Sequence, residues 1–244
     1  MGSTRSKWRA NQLAFYDGTT QETVKPIAPI VFYDDFLGTT TNTDCWTVID
    51  VGAGSTGQAV SVLTITQNVA GATDENGVYA KNDKAFNLSK GPIFECGMAV
   101  SVAPTLGTEI IFGLMKDSLT PGAGRILVAD ELLVYAMFGF YTTVGAGLIP
   151  VIRTKDAGAT SAITSTAVTA FSLNAYHVFR IDCTTPADIK FYVDGVGVAT
   201  GTTFNVSNAA NVMVQPILTA QKVGANAGLG IALFDYVKVW QATR

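Results

Sequence analysis

The sequence predicts an all-β protein: a two-sheet antiparallel sandwich preceded by an extended N-terminal arm. Three observations carry this expectation. From Ile30 onward, short apolar runs alternate with clusters of Gly, Thr, Asn and Asp, the punctuation of strands and turns. No helical period extends beyond about two turns. Of 244 residues, 48% are hydrophobic and 14% charged, enough apolar surface for one large core. The expected division is an arm over residues 1–29 and a single sandwich domain over 30–244.

The arm carries four basic residues, Arg5, Lys7, Arg9 and Lys25, and leaves through Pro26-Ile27-Ala28-Pro29. Leu13 to Asp17, a turn at Gly18-Thr19-Thr20 and Gln21 to Val24 read as a small hairpin, with Asp17-Gly18 marking the reversal. Two strands alone are marginal in water, so this hairpin needs support from the main domain or from a neighbouring subunit.

Within the domain, Leu132 to Tyr141 is apolar throughout, as expected of a central strand packed on both faces or facing another subunit. The Thr, Ala and Ser stretch from Ala157 to Ala170 reads as an exposed hairpin or loop. Tyr176 to Thr184 is the clearest strand, with His177, Phe179, Ile181 and Cys183 on one face and Val178, Arg180 and Asp182 on the other. The next, Asp188 to Val193, aligns Ile189, Phe191 and Val193, then turns at Asp194-Gly195 into Val196 to Thr200. In the closing strand, Leu229 to Trp240, strict alternation sets Ile231, Leu233, Val237 and Val239 against Phe234, Tyr236 and Trp240, with both faces apolar enough to be covered.

A formal net charge of −3 creates no field that concentrates nucleic acid or an anionic membrane, and neither is an expected partner. Cys45, Cys96 and Cys183 form an odd set without C-x-x-C spacing and read as small apolar residues rather than a disulfide framework or zinc site. No segment reaches the roughly 18 apolar residues of a spanning helix, and the N-terminus leads into no signal-like apolar run. The expected product is soluble, folds in a reducing compartment and reaches the outside by assembly or lysis. Without a secretion signal, the sequons at Asn87 and Asn205 read as chance occurrences.

Three segments together resemble the concanavalin A-like lectin and glucanase jelly-roll superfamily. Phe32-Tyr33-Asp34-Asp35-Phe36 followed by Trp46 is similar to that family's opening strand. Tyr176 to Ile181 running into Ile189-Lys190-Phe191-Tyr192-Val193-Asp194-Gly195 is similar to its paired strands. Phe234 to Trp240 is similar to its closing strand. The resemblance spans about residues 30 to 242 and implies the fold. Because that superfamily hosts glycosidases, lectins, laminin-G-like modules and viral surface proteins, it leaves the function open.

The related laminarinase-like glycosidases place carboxylates two apart on one strand, where both face the cleft at the roughly 5 Å needed for retention. This chain has no carboxylates two apart. Its adjacent pairs, Asp34-Asp35, Asp74-Glu75 and Asp130-Glu131, would point to opposite faces of a strand, leaving only a pair assembled from distant strands. His177, the single histidine, sits on an apolar strand face and reads as a core or edge residue rather than a catalytic base. Gly52 to Gly57 lacks the lysine and following helix of a phosphate loop and reads as an inter-strand loop. Asp34, Asp35 and Asp235 match no dense calcium loop. Among rings available to a sugar, Trp46, Tyr79, Tyr141 and Trp240, the two tryptophans fall on family core positions. No metal, cofactor or enzymatic activity is therefore expected.

These readings lead to a virion structural protein: a decoration or cement protein on a tailed-phage head, made in the host cytoplasm and displayed on the capsid surface. Arm residues from Trp8 to Thr20 resemble segments of phage head and tail proteins. Lys7, Trp8, Arg9, Phe15 and Tyr16 are the expected anchors to the major capsid protein, in a homo-oligomer with a trimer favoured. The alternative is a carbohydrate-binding, lectin-like module; a glycoside hydrolase ranks third.

Overall fold

The structure is a computed structural model describing residues 4–9, 12–17, 23–24, 30–68, 74–81, 85–105, 107–116, 134–141, 148–156, 159–164, 170–207, 212–222 and 228–241, with side chains described from Val31 onward except in 159–164. The chain begins with β1 (Thr4–Arg9), β2 (Gln12–Asp17) and β3 (Thr23–Val24). Next come β4 (Ile30–Asp34), β5 (Trp46–Val51), β6 (Ser55–Ala59), β7 (Val62–Gln67), β8 (Glu75–Ala80), β9 (Phe86–Asn87), β10 (Ile93–Val102) and β11 (Thr108–Met115). The remainder is β12 (Tyr135–Tyr141), β13 (Val151–Asp156), β14 (Ala159–Thr164), β15 (His177–Asp182), β16 (Lys190–Val193), β17 (Val196–Val198), β18 (Met213–Lys222) and β19 (Gly230–Gln241).

Two eight-stranded antiparallel sheets form the expected sandwich. The first runs β17-β16-β15-β10-β19-β7-β6, with β4 also on β19; the second runs β14-β13-β12-β11-β18-β8-β5, with β9 also on β18. Their inward side chains interdigitate. Phe112 and Phe138 of the second sheet meet Phe179 of the first edge-to-face at 5.0 and 5.1 Å between ring centroids, and Phe138 meets Phe191 at 5.2 Å. All four rings are buried, each contributing about 1.5–3 kcal/mol through burial. A third, separate sheet has the order β1-β2-β3, so the anticipated hairpin is present as β2 with β3, and β1 adds a strand that the sequence reading did not anticipate.

The strongest sequence patterns map onto strands with the expected faces. Phe179, Ile181 and Cys183 are buried on and just beyond β15, and Ile189, Phe191 and Val193 on and beside β16. Asp194 and Gly195 turn the chain into β17 with φ of +50° and +78°, the positive values a tight primed turn requires. The Ala159–Thr164 strand pairs with β13 as a hairpin. Gly52 to Gly57 differs from expectation: Ser55 opens β6, so a strand, not a loop, occupies its second half.

The closing strand corrects the strict alternation. Gly97 pairs with Tyr236 but Met98 pairs with Phe234, so Asp235 is an extra residue that resets the two-residue period. Ala232 and Phe234 face inward before the bulge, and Val237 and Val239 after it. Tyr236, Lys238 and Trp240 therefore lie on the outward face. Trp240 is a partly exposed surface residue, contrary to the core position that the resemblance implied. Gly97 fits beneath the Tyr236 ring, where a Cβ would come within 2.7 Å of Cε1.

Strand β12 is buried on both faces, as its uninterrupted apolar sequence anticipates. Ala136, Phe138 and Phe140 point into the sandwich. Tyr135 and Met137 instead join Ile49, Ile111, Met115 and Ile217 in a second apolar cluster on the outward face of the same sheet.

Candidate functional site

The sequence-nominated anchors all lie in the arm sheet. Lys7, Trp8 and Arg9 are on β1, and Phe15 and Tyr16 on β2. Cross-strand register pairs Ser6 with Phe15, Trp8 with Leu13, and Phe15 with Val24, placing Trp8, Leu13, Phe15 and Val24 at positions of one face. It also pairs Arg5 with Tyr16, Lys7 with Ala14 and Arg9 with Gln12. The other face thus collects Arg5, Lys7, Arg9 and Tyr16, because residues two apart on a strand share a side. The five nominated residues divide into an apolar pair and a basic-aromatic trio, a distinction the linear sequence obscured.

A second surface comes from the outward face of the first sheet. One row crosses five strands in register: Tyr192, Arg180, Glu95, Lys238 and Tyr33. The Arg180 guanidinium lies 5.6 Å from the Tyr192 ring centroid and 5.7 Å from that of Trp240, while Lys238 Nζ is 4.8 Å from the Trp240 centroid. Tyr236 donates its hydroxyl hydrogen to Glu95 Oε1 at 3.1 Å. Partial burial, followed by the Glu95 charge, pushes that phenol well above its ordinary range. Tyr33, with 57% of its surface exposed, forms the open end of the row. Neither Tyr33 nor Tyr192 stood among the sugar-facing rings nominated from sequence; the alternation of β4 and β16 was the available signal.

The outward face of the second sheet holds the carboxylates that could act as a pair. Glu75 is opposite Gln221, and Gln221 is opposite Glu109, leaving two strand spacings, about 10 Å, between the glutamate backbones. Gln221 Nε2 donates to Glu75 Oε1 at 3.2 Å. Both glutamates are buried, and the intervening glutamine occupies the place where an inverting hydrolysis needs water and sugar. Thirty-four positions separate the two residues in sequence, so no local spacing marked them. Asp130-Glu131 lies outside the described residues.

Other polar candidates have structural partners. Asp34 Oδ2 accepts the Trp46 indole N–H at 2.6 Å and its Oδ1 accepts the Phe36 amide at 2.8 Å, tying β4 of one sheet to β5 of the other. Asp74 accepts the amides of Ala53 and Asn68 at 2.9 and 3.2 Å. Asn87 and Asn205 accept the amides of Ser89 and Ser207, so both sequon side chains build local turns. All three cysteines are free thiols; burial pushes Cys96 and Cys183 upward, away from thiolate chemistry.

His177 Nδ1 lies 2.6 Å from Asp194 Oδ2, and the ring packs on Phe171 at 4.2 Å between centroids. Partial burial works to raise the Asp194 carboxyl, but the His177 and Val178 hydrogen bonds and the imidazole interaction outweigh it and leave the carboxyl lowered. Among the described residues, no hydroxyl hydrogen-bonds to the other ring nitrogen of His177. Also among these residues, no group of three or more His, Cys, Asp and Glu side chains is placed to hold a metal.

No protein-family model matches the chain, and no curated protein matches it in sequence. Solved structures match its fold. The carbohydrate recognition domain of Emp47p superposes with a TM-score of 0.56 at 12% identity, covering 85% of this chain and 93% of its own. An immunostimulatory antigen and pseudo β-1,3-glucanase of Mycobacterium tuberculosis gives 0.58 at 14% identity, with coverage of 86% and 98%. LamAcat from Zobellia galactanivorans gives 0.58 at 14% identity, with coverage of 86% and 96%. The chain therefore has the concanavalin A-like jelly-roll fold of lectins and glycosyl hydrolases.

Proposed function

We propose that this concanavalin A-like sandwich serves as a non-catalytic virion structural protein, a capsid decoration or cement protein that binds the major capsid protein of a phage head and stabilises the shell. The observation carrying the reading is the arm sheet. Among the described residues its three strands pair with one another and with no strand of the sandwich, and its basic face collects Lys7, Arg9 and Tyr16 beside Arg5. A small sheet of this kind gains stability from a partner, and a contact repeated over a symmetric shell accumulates avidity. The protein would be made in the host cytoplasm and displayed on the capsid surface.

Co-sedimentation with shells of the cognate major capsid protein tests the proposal. Full-length protein is expected to pellet with shells, while a chain starting at Ile30 remains folded in the supernatant. Equal pelleting would remove the arm from the function. A second reading, carbohydrate binding, is favoured by Tyr33, Tyr192 and Trp240 lying beside Arg180, Glu95 and Lys238, since stacking rings flanked by hydrogen-bonding groups suit a sugar. A glycan-array signal lost in Trp240→Ala would support it; absence of saturable binding would count against it.

A further inference from the structure

We propose that the outward face of the first sheet selects an anionic saccharide, a short sugar chain bearing carboxylate or sulfate groups, held by Lys238 and Arg180 with Tyr33 and Trp240 as stacking rings. This selectivity rests on the carbohydrate-binding reading of the same face and gives that reading a ligand class. The class follows from which polar groups of the face are already engaged within the fold and which are not.

The acidic side chains are engaged. Asp182 Oδ1 accepts the Thr184 amide and hydroxyl at 3.0 and 2.6 Å, and its Oδ2 accepts from the Arg180 guanidinium at 3.3 Å. Glu95 accepts the Tyr236 hydroxyl hydrogen. The cations keep donors in reserve. Ion pairs among the described residues join His177 to Asp194, Arg180 to Asp182 and Lys190 to Asp188, and Lys238 belongs to none of them. Its ammonium lies 4.8 Å from the Trp240 ring centroid, and it pairs in register with Tyr33. Arg180, with 39% of its side chain exposed, makes the one hydrogen bond to Asp182 and has further guanidinium donors to offer. What remains to meet a ligand is therefore a pair of cationic donors beside aromatic rings, whose complement is an anionic acceptor.

The spacing suits a short sugar chain. From Arg180 through Glu95 and Lys238 to Tyr33 the row crosses three strand spacings, about 14 Å, longer than a single sugar ring. Tyr33 is largely exposed at one end, and Trp240 is partly exposed beside Lys238, so a sugar stacked on either ring brings its substituents close to a cation. A neutral sugar uses the rings and leaves the donors to water, whereas a carboxylate or sulfate also takes a charge-assisted hydrogen bond.

Calorimetric titration of the full chain tests this selectivity with a neutral galactose trimer, a galacturonic acid trimer, a sulfated galactose trimer and an oligoglutamate of matching charge. At least one anionic trimer is expected to bind about tenfold more tightly than the neutral one, the worth of one charge-assisted hydrogen bond, with the advantage shrinking as salt is added. The tighter of the two names the anionic group. Lys238→Gln should remove most of the advantage without moving the unfolding midpoint, Lys238→Arg should retain it, and Tyr33→Ser should weaken all three trimers. Equal affinity for neutral and anionic trimers, or an advantage untouched by Lys238→Gln, would overturn the selectivity and leave the carbohydrate-binding reading in place. Oligoglutamate bound as tightly as the anionic trimers would overturn the saccharide as the ligand of this face. No saturable binding of any trimer would overturn the selectivity and the carbohydrate-binding reading together.

Discussion

The outward faces of the two sheets are built on the same alternation and have opposite surroundings. On the first sheet, Tyr33, Arg180, Tyr192, Lys238 and Trp240 remain partly or largely exposed, with cations beside aromatic rings. On the second, Ile49, Ile111, Met115, Tyr135, Met137 and Ile217 form a buried layer. The opposite side of an inward-facing residue is therefore not always a solvated surface. Both faces of the second sheet are buried along these strands, whereas the first has one buried face and one partly exposed face.

Ile111→Asp should produce the largest effect. Ile111 is fully buried, with Glu109 two residues away on the same strand and face. An unpaired carboxylate there is expected to cost about 3–5 kcal/mol, or to prevent folding. Tyr33→Ser, on the outward face of the first sheet, should cost less than about 1 kcal/mol. Urea-unfolding midpoints compare the two. Similar small losses would mean that the second sheet's outward layer is not held as a packed core.

Asp34 links the two sheets where β4 meets β5. Asp34→Ala removes the acceptor of the buried Trp46 indole and of the Phe36 amide, for an expected loss of about 1–3 kcal/mol. Denaturation followed by tryptophan fluorescence should show this loss, and an unchanged midpoint would deny the bond a stabilising role. Trp240→Ala should have a smaller effect, about 1 kcal/mol, from surface cation–π contacts. A loss above about 3 kcal/mol would instead mark Trp240 as a core residue and erase the proposed contrast.

The same contrast explains what the sequence revealed. Strands β15 to β17 were legible because one-sided burial leaves a period of two, and Asp194-Gly195 supplies the turn. The closing strand was misread because one exposed residue, Asp235, resets that period without an apolar signature. The Glu75, Gln221 and Glu109 row was hidden because its members come from three strands and only pairing brings them together. In the arm, Asp17-Gly18 marked the hairpin, but Thr4–Arg9 has too few β-branched or aromatic residues to announce β1. The five positions nominated as anchors read as one group in the linear sequence; their division between two faces required the register.

The smallest expected effect tests the exposed side of the first sheet through the Asp194 carboxyl. Because hydrogen bonds from His177 and Val178 leave this group below its ordinary value of 3.8, the folded state favours its ionised form. That contribution is complete above the unfolded-state value and disappears as pH falls through the lower folded-state value. Asp194→Asn retains a residue suited to the turn's positive φ while removing this titration. The stability advantage of the unmodified protein over the variant should be constant near neutrality, shrink through the acid range below 3.8 and then vanish. Parallel stability curves down to strong acid would show that the dyad does not hold the carboxylate in its charged form. A converging pair of curves would locate its effect on the open edge of the first sheet, where solvent keeps it modest.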